Sequence, residues 1–148
     1  MNVLKQEPQN VVALQHLGTI WSDEGAPLRA LPFLKNALEL APDNPDVRIK
    51  LALAYMDLGS PQETRQEAIK ILDHTPNYAE ALILLADTAY SEKEISFTEQ
   101  QLARRKDPDR AALHVAAAGL AARRGDLATL EKRRSGPWLW IPSPFSPT

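Results

Sequence analysis

At 148 residues the chain is long enough for one domain of ordinary size, and its 44% hydrophobic content, mostly Ala and Leu with 6% aromatics, favours closely packed helices over an aromatic-rich β core. The absence of cysteine excludes disulfides, thiolate nucleophiles and cysteine-held metal centres, and no run of ~18 apolar residues offers a membrane-spanning helix. The net charge of −2 divides unevenly: residues 1–99 hold 8 basic and 15 acidic side chains, a balance of −7, and residues 100–148 hold 9 and 4, a balance of +5, which reads as solvated helix faces of differing sign.

Residues 1–10 carry Pro8 and read as the end of a preceding repeat or a linker. They lack the apolar stretch of a signal peptide. Because the chain enters on a repeat ending, a part of a longer protein is expected, and the missing signal peptide leaves the compartment open.

From residue 11, Leu14, Leu17, Gly18 and Trp21 fall at i, i+3, i+4 and i+7, one face of a helix. Gly25 and Pro27 break it. A second helix follows with Ala30, Leu34, Ala37 and Leu38, and Pro42 ends that one. Residues 45–78 repeat the pattern. Leu51, Ala52 and Tyr55 stand 34 residues after Leu17, Gly18 and Trp21, and Gly59 and Pro61 stand 34 after Gly25 and Pro27. Asn44 reads as an N-cap with Pro45 at the first helical position.

Residues 79–110 keep Leu82, Leu85, Ala86 and Ala89 but lose two residues around SEKEIS, and the second helix of this unit is expected to begin near Ser96. Residues 111–134 place Ala117, Ala118, Ala121 and Gly125 in the first-helix and turn slots, then stop early at Ser135-Gly136-Pro137. Residues 135–148 form a tail whose prolines 142, 144 and 147 forbid a regular helix.

The phased prolines are the strongest signal. Pro8, Pro42, Pro76 and Pro108 are separated by 34, 34 and 32 residues. A recurring small-residue slot, Gly18, Ala52, Ala86 and Ala118, marks where two helices of a pair should approach most closely. Each pair has an apolar face it cannot bury alone, so stacked pairs should share a continuous core.

These residues resemble the tetratricopeptide repeat (TPR), with its period of about 34 and its W-x₂-L-G-x₂-Y, A-x₃-F and P skeleton. Unit one runs Leu14, Leu17-Gly18, Trp21, Ala30, Leu34 and Pro42 through that skeleton. Unit two departs at Arg48, Thr64 and Ala68, and the last two units are degenerate. The resemblance implies an all-α fold, a right-handed α-solenoid of antiparallel helix pairs with about 3.5 units. Pentatricopeptide RNA-binding repeats have a similar length but generally lack the phased proline.

No catalytic constellation is visible. His16, His74 and His114 sit in three different repeats, no phosphate-cradling glycine loop or nucleophile elbow occurs, and Asp23-Glu24 and Glu92/Glu94 read as solvated helix ends. Neither cofactor nor metal is expected, and the chain is not expected to be an enzyme.

In similar repeats the first helix of each pair lines the concave side, which makes Gln15, Thr19, Ile49, Leu53, Met56, Ile83, Asp87 and Tyr90 the candidate peptide-binding groove, with Ser22, Val115, Gly119 and Ala122 completing the row. Chaperone-binding relatives clamp a terminal carboxylate with Lys, Asn and Arg. Here the matching places hold Gln15, Thr19, Lys50 or Leu53, Glu80 and Leu84, which argues against that activity.

The expected role is a protein–protein interaction scaffold with an apolar groove for a peptide or protein segment. Alternatives are the non-catalytic repeat region of a larger enzyme or secretion or assembly factor, and a homo-oligomer assembled through uncapped ends. Trp138, Leu139, Trp140 and Ile141 are candidates for a self-docking tail. Nucleic acid is disfavoured because the arginines of the C-terminal half lack neighbouring aromatics.

Overall fold

The computed structural model describes residues 10–105 and 110–125. Among them are seven helices and no strand: α1 (Val11–Asp23), α2 (Pro27–Leu40), α3 (Pro45–Asp57), α4 (Pro61–His74), α5 (Ala79–Asp87), α6 (Glu92–Ala103) and α7 (Arg110–Arg124). They form an all-α solenoid of stacked antiparallel pairs: α1 with α2, α3 with α4, and α5 with α6, followed by α7.

Local chemistry accounts for the punctuation. Proline opens α2, α3 and α4, where its missing N–H costs nothing. The Asn10 side chain accepts from the Ala13 N–H at 3.0 Å, and Asn44 accepts from Asp46 and Val47 at 3.0 and 3.2 Å, so both act as N-caps. The turns inside the first two pairs are Schellman motifs. Gly59 sits at φ +68°, its N–H bonds the Met56 carbonyl and the Ser60 N–H bonds that of Tyr55. Gly25 makes the same turn one repeat earlier.

Burial follows the stacking. Val47, Leu51 and Ala54 of α3 complete the core of the preceding pair with Leu14, Ala30 and Leu34, while Ile49 and Ala52 on the same helix join α4 and α5. The small-residue slot behaves as expected in the first three units. Gly18, Ala52 and Ala86 are buried, and a Cβ on Gly18 would lie 2.6 Å from the Leu34 side chain. In α7 the slot shifts. Ala112, Ala116 and Leu120 are buried and Ala118 is only half-buried: the buried face of α7 keeps the 34-residue spacing from Leu82 and Ala86 and not the 32-residue spacing of the prolines.

The third pair is the irregular one. Its second helix begins at Glu92, four residues before the expected Ser96, because Ser91 and Glu94 form a capping box that the S-x-x-E spacing encodes. There is no left-handed glycine in this turn. Instead, α5 ends at Asp87 and the Thr88 hydroxyl turns back to the Leu84 carbonyl at 2.8 Å. As a result α5 packs mainly on α4 and α7, and only lightly on α6.

Arg65 bridges the gap. Its guanidinium donates to the Leu85 carbonyl (3.1 Å), the Glu94 carbonyl (3.1 Å) and the Thr98 hydroxyl (3.2 Å), and it lies against the Phe97 ring. The residue is 7% exposed, and burial pushes its pKa below the usual arginine value. Arg48, which replaces the usual tryptophan, likewise swaps apolar packing for ionic contact. It pairs with Glu67 of α4 at 2.6 Å and donates to the Pro42 carbonyl, while Lys70 meets Glu67 at 2.7 Å.

Two stability predictions result. Gly18→Ala and Ala52→Leu should each lower the thermal midpoint. For Gly18 the overlap with Leu34, at about 1–3 kcal/mol, outweighs the ~1 kcal/mol gained in helix propensity. An unchanged or raised midpoint would contradict the close-approach slot. Arg65→Lys should cost about 2 kcal/mol in urea denaturation, because a single ammonium cannot span three acceptors on two helices. A loss no larger than that of an exposed Lys→Ala control would show that the bridge is dispensable.

Candidate functional site

The first helices of successive pairs, α1, α3, α5 and α7, run in the same direction. Ile49 of α3 shares a core cluster with Leu82 and Leu85 of α5, and Met56 of α3 lines the same cavity as Tyr90, which lies just past the end of α5. The row continues onto α7, where Gly119 lies alongside Asp87 and Arg123 reaches both Asp87 and Tyr90. Val115, one turn before Gly119, shares that face.

Side-chain exposure along this row is uneven. Leu53 is 39% exposed, Tyr90 65% and Val115 57%. Gln15, Thr19, Met56, Ile83 and Asp87 are half-buried. Ile49 is 6% exposed and belongs to the core cluster of Ala52, Ile71 and Leu85, so its side chain packs inward and is not offered to a ligand. The groove expected from helical spacing thus narrows at Ile49 and opens around Leu53 and Tyr90. Ser22 faces the same side, and its hydroxyl is shielded without a hydrogen-bond partner among the described residues. Trp138, Leu139, Trp140 and Ile141 lie outside the described residues.

Between the turn of the second pair and the end of α5 lies a cavity of about 200 Å³, lined by Met56, Gly59, Pro61, Thr88 and Tyr90. Its chemistry is apolar. The one hydroxyl deep in the wall, that of Thr88, is already committed to the Leu84 and Leu85 carbonyls. At the rim, Arg123 stacks over the Tyr90 ring at 4.9 Å and its guanidinium stands 3.7 Å from the Asp87 carboxylate, so the two charges offset each other.

Tyr90 is held from behind. The Glu94 carboxylate accepts from the N–H groups of Tyr90 and Ser91 at 3.0 and 2.9 Å and from the Ser91 hydroxyl at 2.9 Å. These bonds, the Ser91 N–H first, hold the Glu94 carboxyl down at about 2. Glu94 stands at a helix end, as expected from the sequence, and there it closes a capping box with Ser91. The capping-box spacing was the signal that would have placed it as the anchor of the groove edge.

Other polar groups are engaged elsewhere. Arg124 pairs with Glu92 at 2.7 Å and Glu99 at 3.3 Å, and Arg105 donates to the Pro76 and Gln101 carbonyls. His74 stands 3.7 Å from Asp43 on the exposed surface. Among the described residues no group of three or more His, Asp or Glu could hold a metal ion, and no helix is long and apolar enough to cross a membrane.

A family model described as Tetratricopeptide repeat matches residues 22–87. Among solved structures, a tetratricopeptide repeat protein from Parabacteroides merdae is similar with a TM-score of 0.72 at 21% identity, over 93% of this chain and 59% of that one. The chain thus spans about three fifths of that protein's length. No curated protein matches the chain.

The Glu94 anchor makes a pH prediction. Its folded pKa is depressed, so its contribution to stability is present above the ordinary carboxylate value of 4.5 and is lost as pH falls toward about 2. Glu94→Gln retains an acceptor but cannot titrate. The difference in melting temperature between wild type and Glu94→Gln should therefore shrink steadily across that window, and a difference independent of pH would refute the assignment.

Proposed function

We propose that this chain, whose residues 22–87 match a tetratricopeptide repeat model, is a non-enzymatic scaffold that binds a peptide or protein segment along the first-of-pair helices, centred on Leu53, Met56 and Tyr90. The supporting observation is the coincidence of exposed apolar side chains with a preformed apolar cavity. Leu53 on α3, Tyr90 in the loop after α5 and Val115 on α7 remain in contact with water, and Met56 and Tyr90 both line the cavity. Burying one such side chain is worth ~1.5–3 kcal/mol, so a partner that covers them gains directly.

The charges favour a neutral or amphipathic ligand. Asp87 and Arg123 already face one another, and the exposed Glu80 would repel a terminal carboxylate. An extended segment with one bulky apolar anchor for the cavity, and smaller side chains running toward Leu53 and Val115, fits this surface. The half-buried Gln15 and Thr19 provide the polar end of the row.

Peptides selected from a display library on the full chain provide the test. Calorimetry on the tightest of them should show Leu53→Ala and Tyr90→Ala each losing about 1–2 kcal/mol, roughly 5- to 30-fold in Kd. Peptides that bind both variants as well as wild type would place the binding surface elsewhere.

A further inference from the structure

The cavity at Met56 and Tyr90 lies beside the point where the described chain leaves α7. Arg123 stacks on the ring of Tyr90, which forms one of the cavity walls, and Gly125 follows two residues later. The residues beyond Gly125 include Trp138, Leu139, Trp140 and Ile141, within a closing stretch, WLWIPSPFSPT, that carries no charged side chain.

Thirteen residues separate Gly125 from Trp138 (138 − 125 = 13). At roughly 3.3 Å per residue an extended linker of that length spans ~40 Å, so the tail reaches the cavity even with part of the linker helical. The cavity matches in size as well as in polarity. An engineered apolar cavity of about 150 Å³ admits benzene, and the volume here is about 200 Å³.

We infer that the tail occupies this cavity in cis, with one of the two tail tryptophans seated between Met56 and Tyr90. Three arguments support this occupant over a foreign one: the described chain ends next to the site, the tail is uncharged as the cavity and its self-neutralised rim require, and its tether gives an effective concentration in the millimolar range. An external ligand then has to displace the tail, which makes the contact autoinhibitory. The inference relies on the proposed groove only for the apolar character of the cavity.

The experiment uses the full chain with Trp21→Phe, which leaves Trp138 and Trp140 as the only tryptophans. Their emission should be blue-shifted and shielded from acrylamide at every protein concentration. Tyr90→Ala in that background should raise the quenching constant several-fold while the circular dichroism melt stays cooperative. Met56→Gln should act in the same direction. Quenching equal to that of a free peptide of residues 135–148 would overturn the inference. So would shielding that survives both substitutions, or shielding lost on dilution, which would place the tail on a second copy. If the tail proves exposed while a selected peptide still loses affinity on Leu53→Ala, tail docking fails and the groove stands.

Discussion

Val47, Leu51 and Ala54 belong to the second helix pair by sequence and to the core of the first pair by burial. That displacement is the constraint on which the molecule rests. A pair of short amphipathic helices encloses only part of its apolar face, and the remainder is closed by the next pair, so the core continues from cluster to cluster instead of forming one centre. The same arrangement sets α5 against α7, and this is what brings Gly119 alongside Asp87 at the surface.

Where apolar packing weakens, polar groups take over the joining. In the third pair α6 stands off from α5, and the buried Arg65 meets both helices through three oxygen acceptors. Arg48 and Arg105 do related work at the repeat corners, where each donates to the carbonyl of a phased proline, Pro42 and Pro76. The prolines end the helices and leave carbonyls without helical donors, and the arginines supply donors from a neighbouring helix. The Thr88 back-bond and the Ser91–Glu94 box similarly replace a glycine turn, and in doing so hold Tyr90 at the surface.

Much of this was legible in the sequence because repeated spacing reports repeated packing. Proline at 42 and 76, glycine at 25 and 59, and the small slot at 18, 52 and 86 each correspond to one physical requirement met several times over. Legibility failed where the repetition did. The start of α6 falls four residues before the expected Ser96: with two residues lost and no glycine-proline turn to mark it, only the local Ser91–Glu94 capping box states the boundary. Within the candidate groove, Ile49 was placed on the open side by helical geometry alone. A helix that packs on three neighbours has too little free circumference for that, and only the contacts with α4 and α5 reveal it. Arg65 carried no sequence signal, since an arginine at a second-helix position ordinarily reads as solvated.

The light packing between α5 and α6 has a kinetic side. Most of the core joins segments close in sequence, so the chain can consolidate by closing short loops, pair by pair, without waiting for distant strands to meet. Openings of such an array are local, and the first amides to exchange with solvent would be those of the element with least apolar contact. Here that element is α6, whose departure would uncover the Arg65 guanidinium and release the Glu94 anchor in one event. The mobility of one outer helix would thereby be transmitted to the edge of the groove.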